Sequence, residues 1–258
     1  MRPAVALAVR LRARWPWPVG PVAAVLGWHR VDVDGGRLAV PPPVFRRQVE
    51  LLSEYRQRFP VAQLDQAGTI FCAGQAHAHH VVLTFDDAWA DNHAHALVPL
   101  SEHRLPAMLY APSRLLGTPG YMTRTQLLEM HDGGLTIGAH SRTHPDLRAC
   151  GPDELESQVR GSKEDLEDLL GEPVTSFAYP TGLANDRVRA AVVAAGYTTA
   201  VSTRPGWWRP ATQPLWIPRA FVEEFSDATF VAAIKGGLSA LGPLDTSKRL
   251  IRGDAVAP

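Results

Sequence analysis

The chain has 258 residues, of which 45% are apolar and 20% charged, and its formal net charge at pH 7 is zero. The composition is ordinary for a globular protein, and a core of this size needs no disulfide or metal to hold it together. The balanced charge argues against a broadly basic nucleic-acid-binding surface. No apolar run approaches the ~20 residues of a membrane span. Cys72 and Cys150 form no C-x-x-C pair, so we expect two free thiols.

Residues 1–18 are basic and rich in tryptophan and proline. The apolar stretch at residues 3–9 is short for a secretory signal and runs into further arginines without a small-residue cleavage site. We therefore predict a cytoplasmic protein with an N-terminal tail over residues 1–18. Its prolines do not suit a regular amphipathic helix, but a weak contact of its arginines and tryptophans with a membrane surface stays open.

Hydrophobic periodicity predicts short apolar strands that alternate with amphipathic helices over residues 19–237. The predicted strands are residues 22–28, 81–85, 107–111, 135–139, 174–178, 197–202 and 216–222. The predicted helices are residues 45–59, 91–103, 123–131, 152–170 and 186–195, and a last helix that Ser226 caps and that reaches Lys235. Thr123 and Gln126 favour a capping box at the start of their helix. Residues 68–80 are predicted to form a loop and residues 238–258 an irregular tail.

This alternation predicts an α/β fold with a parallel sheet and helical crossovers. About seven strand–helix units indicate a distorted (β/α)7-type barrel in a single domain, and chemistry in such barrels occurs at the carboxyl ends of the strands. Three predicted strands end in polar segments that a core does not need: Asp86-Asp87, His140-Ser-Arg-Thr-His144 and Tyr179-Pro-Thr-Gly182. These segments are the candidate functional site.

The first two of these segments suit a metal ion. Adjacent carboxylates are costly to bury because like charges repel and lose hydration, and a cation relieves that cost. A helical turn after the strand would place His140 and His144 on one side, about 5.4 Å apart along the axis. Two histidines and a carboxylate form a known catalytic zinc arrangement. Either pair alone is better explained as an ordinary turn or a solvated helix face, but together they predict a metal site.

Three segments, in this order and spacing, resemble the motifs of the polysaccharide deacetylase family, carbohydrate esterase family 4: Thr84-Phe-Asp-Asp87, Gly138-Ala-His-Ser-Arg-Thr-His-Pro-Asp-Leu147 and Tyr179-Pro-Thr-Gly182. The resemblance covers residues 22–237 and implies a distorted barrel of about seven strands that hydrolyses acetamido groups on sugar polymers. It implies that Asp87, His140 and His144 bind a divalent metal, usually zinc. It further implies that Asp86 is the general base and that the backbone N–H of Thr181 stabilises the oxyanion.

Two features depart from the family pattern. The arginine of the third motif, which usually pairs with the base, is replaced here by Ala178. Arg219 is a candidate substitute, although a surface arginine is an equally good interpretation. The late Leu-x-His motif, which usually supplies the general acid, is absent from the C-terminal part, whereas the first predicted strand ends in Leu26-Gly-Trp-His29. The chain thus resembles a circularly permuted branch in which His29 protonates the leaving amine, and a satisfied buried histidine is the alternative.

A group of histidines and a group of tryptophans are interpreted as structural rather than functional. The histidines of residues 77–80 are expected in a solvated loop that could trap a metal only adventitiously. Trp207, Trp208 and Trp216 could stack on a sugar, but packing in the core or at its rim is the preferred interpretation.

The primary functional prediction is a metal-dependent hydrolase that removes acetyl groups from N-acetylated sugars of a polysaccharide or lipid-linked glycan. Zinc is the expected ion, with cobalt, nickel or manganese as substitutes. One alternative is a non-catalytic glycan-binding protein of the same fold, and another is a deacetylase of O-acetyl esters or of a small cyclic amide. The expected partner is an acetylated glycan and not a nucleic acid. The sequence identifies neither the glycan nor the oligomeric state.

Overall fold

The computed structural model describes residues 6–7, 10–11, 22–36, 38–64, 79–204, 206–209 and 214–237. Its strands and helices, in chain order, are β1 (Val22–Trp28), β2 (Arg30–Val31), β3 (Ala39–Val40), α1 (Pro42–Tyr55), β4 (His79–Phe85), α2 (Ala90–His95), α3 (Leu97–His103), β5 (Ala107–Ala111), α4 (Arg124–Asp132), β6 (Leu135–Ala139), α5 (Pro152–Leu170), β7 (Ser176–Ala178), α6 (Asp186–Ala194), β8 (Thr199–Val201), β9 (Ala220–Phe221) and α7 (Asp227–Ile234). No helix among these residues is long and apolar enough to cross a bilayer.

Seven of the strands form one parallel sheet in the order β8-β7-β6-β5-β4-β1-β9. Ile217 pairs with Val201 at the β8 edge, and β9 pairs with β1 at the opposite edge only a few residues later. The segment 217–221 therefore touches both edges of the curled sheet. This confirms the predicted single-domain α/β barrel, and the barrel is distorted because this segment, rather than a direct strand pair, joins the two edges.

Side chains of each strand alternate between two cores, as the period of a strand requires. On β4, Val81 and Leu83 pack in the larger core with the helices, whereas Val82 belongs to a second cluster. The members of the second cluster are Ala23, Val25, Leu64, Val82, Met108, Tyr110, Ala178, Val201, Trp208 and Ile217. Because this cluster joins residues from across the sheet, it fills the concave inside of the barrel.

Local sequence signals set most helix ends where they were predicted. Helix α4 begins with the predicted capping box, in which Thr123 and Gln126 exchange side-chain-to-backbone hydrogen bonds. Helix α5 has Pro152 in its first turn and ends at Gly171, whose φ of 72° suits glycine. The predicted helix over residues 91–103 is two helices, α2 and α3. Pro99 lacks an N–H and is placed in the first turn of α3, where none is needed.

The predicted solvated loop at residues 77–80 is wrong for its last two residues. His79 and His80 are buried and begin β4, because β1 pairs with β4 from Val22 and His79 onward. The ring of His79 packs against Trp207 at a centroid distance of 4.5 Å. Burial, together with His80, lowers the pKa of His79 to about 3, so this imidazole is neutral at physiological pH.

The structural interpretation of the tryptophans is confirmed. Trp207 and Trp208 are buried, and Trp216 is half-buried with its ring 5.3 Å from that of Tyr179. Cys150 is a buried free thiol. His77, Cys72, residues 238–258 and most of residues 1–18 lie outside the described residues.

Candidate active site

Asp87, His140 and His144 converge at the carboxyl ends of β4 and β6. Asp87 Oδ1 lies 3.5 Å from His140 Nε2 and 3.6 Å from His144 Nε2, and the three ligand atoms lie within 4.8 Å of one another. A tetrahedral zinc ion with bonds of about 2.0–2.2 Å separates neighbouring ligand atoms by about 3.3–3.6 Å. The spacing and the donor set of these residues therefore fit a divalent metal ion.

The segment that carries the two histidines is not the helical turn under which their spacing was considered. Residues 140–145 form no regular element, and Ser141 and His144 have φ values of 62° and 58°. The backbone N–H of His144 donates to Ser141 Oγ at 3.0 Å. This turn places the two imidazole centroids 4.6 Å apart, so the left-handed backbone brings the two histidines together without a helix.

Left-handed backbone at non-glycine residues costs about 1 kcal/mol or more and clusters at functional sites. Besides Ser141 and His144, it occurs here at Asp87 (φ 71°), Ala88 (φ 54°) and Thr181 (φ 58°). Five of the seven described non-glycine residues with positive φ thus lie in the three predicted segments or directly beside them. The strain is concentrated where the predicted chemistry is.

Helix α5 anchors the segment that carries the histidines. Gln158 Oε1 accepts the backbone N–H groups of Arg142 and Thr143, both at 3.0 Å. The Arg142 guanidinium donates to both oxygens of Asp165 at 2.9 Å. Gly161 leaves room for it, because a Cβ at that position would lie 2.2 Å from the Arg142 guanidinium. These contacts supply the partners that an irregular backbone needs.

One hydrogen bond fixes the tautomer of His140. Its Nδ1 lies 2.8 Å from the backbone oxygen of Ala178, which can only accept, so Nδ1 carries the proton and the lone pair of Nε2 faces Asp87. Burial is the main cause that lowers the pKa of His140, to about 4. The neutral imidazole, which is the form that binds metals, is therefore the stable one.

Arg219 forms a two-pronged ion pair with Asp86. The guanidinium nitrogens donate to the two carboxylate oxygens, each at 2.6 Å. Arg219 is fully buried, so its interpretation as a surface arginine is wrong. Burial alone would raise the pKa of Asp86, but the charges of Arg219 and His140 and the Arg219 hydrogen bonds outweigh it and lower the pKa to about 2. Asp86 is an ionised, oriented carboxylate.

His29 is paired with a residue that the sequence analysis missed. Glu223 Oε1 accepts from the backbone N–H of His29 at 3.0 Å and lies 2.8 Å from its Nδ1. The ring of His29 stacks on Phe221 at a centroid distance of 4.1 Å. Burial lowers the pKa of His29, but the Glu223 hydrogen bond and the charges of Asp86, Glu223 and Asp87 outweigh it and raise the pKa above 6.5. The sequence signal was available, since Glu223 follows the short strand β9 as the other site residues follow theirs.

Thr181 lies in a short 3₁₀ turn, Pro180–Gly182, that follows β7. The turn is closed by the Gly182 N–H, which donates to the Tyr179 oxygen at 2.8 Å. A Cβ at Gly182 would lie 2.1 Å from the side chain of Thr203, and the φ of Gly182 is 72°, so glycine is required there. The third motif is thus a tight, specific turn, and the donor role of the Thr181 N–H stays a prediction.

The chain is similar to known proteins. The family model for polysaccharide deacetylases matches residues 73–200. Over 185 residues the chain is 29% identical to the putative polysaccharide deacetylase YxkH of Bacillus subtilis. The matched region covers 70% of this chain and 64% of that protein. Over 136 residues the chain is 30% identical to a chitooligosaccharide deacetylase of Sinorhizobium fredii. That matched region covers 52% of this chain and 61% of that protein. The chain thus spans less than two thirds of the length of these two relatives.

A solved structure shares the fold. The Streptococcus pyogenes deacetylase PplD, in complex with acetate, superposes with a TM-score of 0.77 at 22% identity, over 84% of this chain and 99% of that chain. The half-barrel of parallel strands, the strand-end segments and the family match lead to one conclusion: the chain belongs to the polysaccharide deacetylase family.

Proposed function

We propose that this protein is a metal-dependent hydrolase that removes acetyl groups from N-acetylated sugars of a polysaccharide or lipid-linked glycan. The observation that carries the proposal is the convergence of Asp87, His140 and His144 beside the buried Asp86–Arg219 pair. The similarity to proteins named as polysaccharide and chitooligosaccharide deacetylases supports the substrate class.

Each residue of the site has a distinct role in this proposal. Asp87, His140 and His144 would hold the ion, expected to be zinc, which when bound supplies Lewis acidity to the acetyl carbonyl and to the attacking water. Asp86 takes a proton from that water. Its low pKa keeps it ionised throughout the physiological range, and Arg219 fixes the direction of its oxygens.

The remaining steps belong to His29 and Thr181. Glu223 holds Nδ1 of His29, so Nε2 is the nitrogen that donates a proton to the leaving sugar amine. The raised pKa of His29 favours the protonated, acidic form near neutral pH. The backbone N–H of Thr181 donates to the oxyanion that develops on the acetyl group. The products are acetate and a free amino sugar.

Removal of divalent metal is expected to abolish acetate release from a chitooligosaccharide, and added Zn²⁺ or Co²⁺ is expected to restore it. The reason is that the ion would supply the Lewis acidity toward the acetyl carbonyl, whereas the guanidinium of Arg219 is occupied by Asp86. Acetate is measured enzymatically, and bound metal by elemental analysis. Undiminished acetate release from protein shown to be metal-free would refute the proposal.

The same assay separates the alternatives that the sequence left open. Acetate release from an O-acetylated sugar but not from the chitooligosaccharide would indicate an ester deacetylase. Binding of the chitooligosaccharide without acetate release, with metal bound, would indicate a non-catalytic glycan-binding protein. The non-catalytic alternative arises from the missing arginine at Ala178 and from the displaced general-acid motif. The first reason is weakened because Arg219 reaches Asp86 from another segment.

Glu223→Gln is expected to move the alkaline limb of the kcat–pH profile to lower pH. Burial lowers the pKa of His29, and Glu223 is a principal cause of the opposing upward shift. Glutamine keeps an acceptor oxygen for His29 but removes the negative charge, so the pKa of His29 falls and the acidic form is lost earlier as pH rises. Glu224→Gln, a change of the exposed neighbour, is the matched control. An alkaline limb that stays in place in Glu223→Gln would contradict the acid role of His29.

A further inference from the structure

We propose that Trp89 is a positioning residue that aims the metal-binding oxygen of Asp87. The indole N–H of Trp89 donates to Asp87 Oδ2 at 3.0 Å, whereas the other carboxylate oxygen, Oδ1, faces both His140 and His144. The inference rests on the proposed function, because it takes Asp87 as a metal ligand.

The chemistry of the indole makes this contact directional. An indole N–H can only donate, so it binds one carboxylate oxygen and leaves the other free for a cation. A hydrogen bond to an ionised carboxylate is stronger than a neutral one. Without it, the Asp87 carboxylate could rotate about its last single bond and exchange its two oxygens. Partners of this kind orient a ligand and tune its affinity for the metal.

The backbone around Trp89 is clamped to a second loop. Trp89 forms an antiparallel bridge with Tyr121. The Ala90 N–H donates to the Gly120 oxygen and the Met122 N–H to the Ala88 oxygen, both at 2.9 Å. The left-handed turn at Asp87 and Ala88 is therefore held in place from its C-terminal side.

The indole ring is held as firmly as its backbone. The ring of Tyr121 stacks on it at a centroid distance of 4.5 Å and an angle of 20°. The guanidinium carbon of Arg30 lies 5.3 Å from the ring centroid, and Arg30 is itself tied to Asp91 and Asp32 at 2.7 and 2.6 Å. Such stacking and cation–π contacts restrict the ring to one orientation.

Gly120 shows that the opposing loop is shaped around the indole. Its φ is +89°, and a Cβ at this position would lie 3.3 Å from the Trp89 ring. Glycine is thus favoured twice at this position, by its backbone conformation and by the close approach of the ring. The stacking alone could be supplied by a phenylalanine, whereas the indole also delivers an N–H to Asp87.

Trp89→Phe tests the N–H separately from the ring. Phenylalanine can still stack on Tyr121 but has no donor for Asp87 Oδ2, so we expect Zn²⁺ affinity to fall by about 10- to 100-fold. Affinity is measured by competition with a chromophoric chelator, and the visible spectrum of the Co²⁺ form is expected to change because a ligand has lost its orientation. Trp216→Phe is the matched control, since it makes the same change at a half-buried tryptophan that packs on Tyr179.

The outcomes distinguish the positioning role of Trp89 from the proposed metal-dependent function on which it rests. Weakened Zn²⁺ binding in Trp89→Phe, with Trp216→Phe like the wild type, supports the inference; equal Zn²⁺ affinity in Trp89→Phe and the wild type overturns it. If metal-free Trp89→Phe unfolds, replacing the indole N–H at position 89 by sulfur, in a benzothienyl analogue, gives the same two outcomes with the ring shape kept. A wild-type protein that binds no Zn²⁺ would instead overturn the proposed function.

Discussion

Asp86→Asn is expected to lower the rate of acetate release by about 10²- to 10⁴-fold, the usual contribution of a positioned general base, while Zn²⁺ binding is retained. Asparagine has the same shape and can still accept a hydrogen bond from Arg219, but it cannot take a proton from water. Asp86 is not one of the three converging candidate ligands, and its nearer oxygen lies 3.9 Å from His140 Nε2. The loss is therefore expected in kcat rather than in metal content.

The measurement is kcat on a chitooligosaccharide, together with the zinc content and melting temperature of each variant. Asp146→Asn is the matched control, because Asp146 is an exposed aspartate in the loop that follows His144 and pairs with Arg148. Full activity in Asp86→Asn at normal zinc content would remove the base role from Asp86. Loss of zinc together with activity would instead assign Asp86 to the ligands.

Arg219→Met is expected to destabilise the protein by about 3–5 kcal/mol at neutral pH, the usual cost of breaking a buried ion pair from one side. Methionine fills much of the volume that Arg219 occupies between the rings of Phe221 and Tyr110, so the main loss is electrostatic. Asp86 would remain ionised, buried and without its partner. The free energy of unfolding is measured by urea denaturation.

The double variant Asp86→Asn/Arg219→Met distinguishes this cause from poor packing. Removing both charges is expected to recover much of the lost stability, because a neutral pair carries no unpaired buried charge, but not the activity. A double variant as unstable as Arg219→Met would show that the fold needs the shape of the arginine and not its charge.

The pH dependence of stability has opposite signs in the wild type and in Arg219→Met. In the wild type the folded-state pKa of Asp86, about 2, is below its ordinary value of 3.8. This carboxylate therefore stabilises the fold above pH 3.8, and the stabilisation is lost as pH falls toward 2. In Arg219→Met burial acts without Arg219 and raises the pKa of Asp86. Protonation then relieves the buried charge, and the defect relative to the wild type is expected to shrink as pH falls.

Local patterns in the sequence determined which side chains enter the barrel. On β4 the inward series Val82, Thr84 continues to Asp86, and on β6 Gly138 continues to His140. On β1 the inward series reaches His29 through Gly27. This followed from the period of a strand and from the position of each strand end, both of which depend on neighbouring residues alone. The barrel and the strand ends that carry the candidate metal ligands could therefore be predicted from the residues, whereas the acid role of His29 was implied by the family resemblance.

Contacts between distant segments were decided only by the tertiary structure. Arg219 pairs with Asp86 from 133 residues away, and Glu223 pairs with His29 from 194 residues away. Both depend on β9 lying against β1, and a strand of two residues is too short to show a period. The start of β4 also depended on distant contacts. The polar side chain of His79 favoured a loop, but in the structure its ring packs against Phe59 and Trp207.

The conformation of the segment with His140 and His144 also came from the tertiary structure. Its spacing of four residues was compatible with a helical turn, which would have satisfied its backbone locally. Instead Gln158 and Asp165 of α5 bind the segment from outside, which allows the left-handed residues that aim both imidazoles at Asp87. Sequence spacing determined which residues could meet, whereas packing against a distant helix decided the backbone that brings them together.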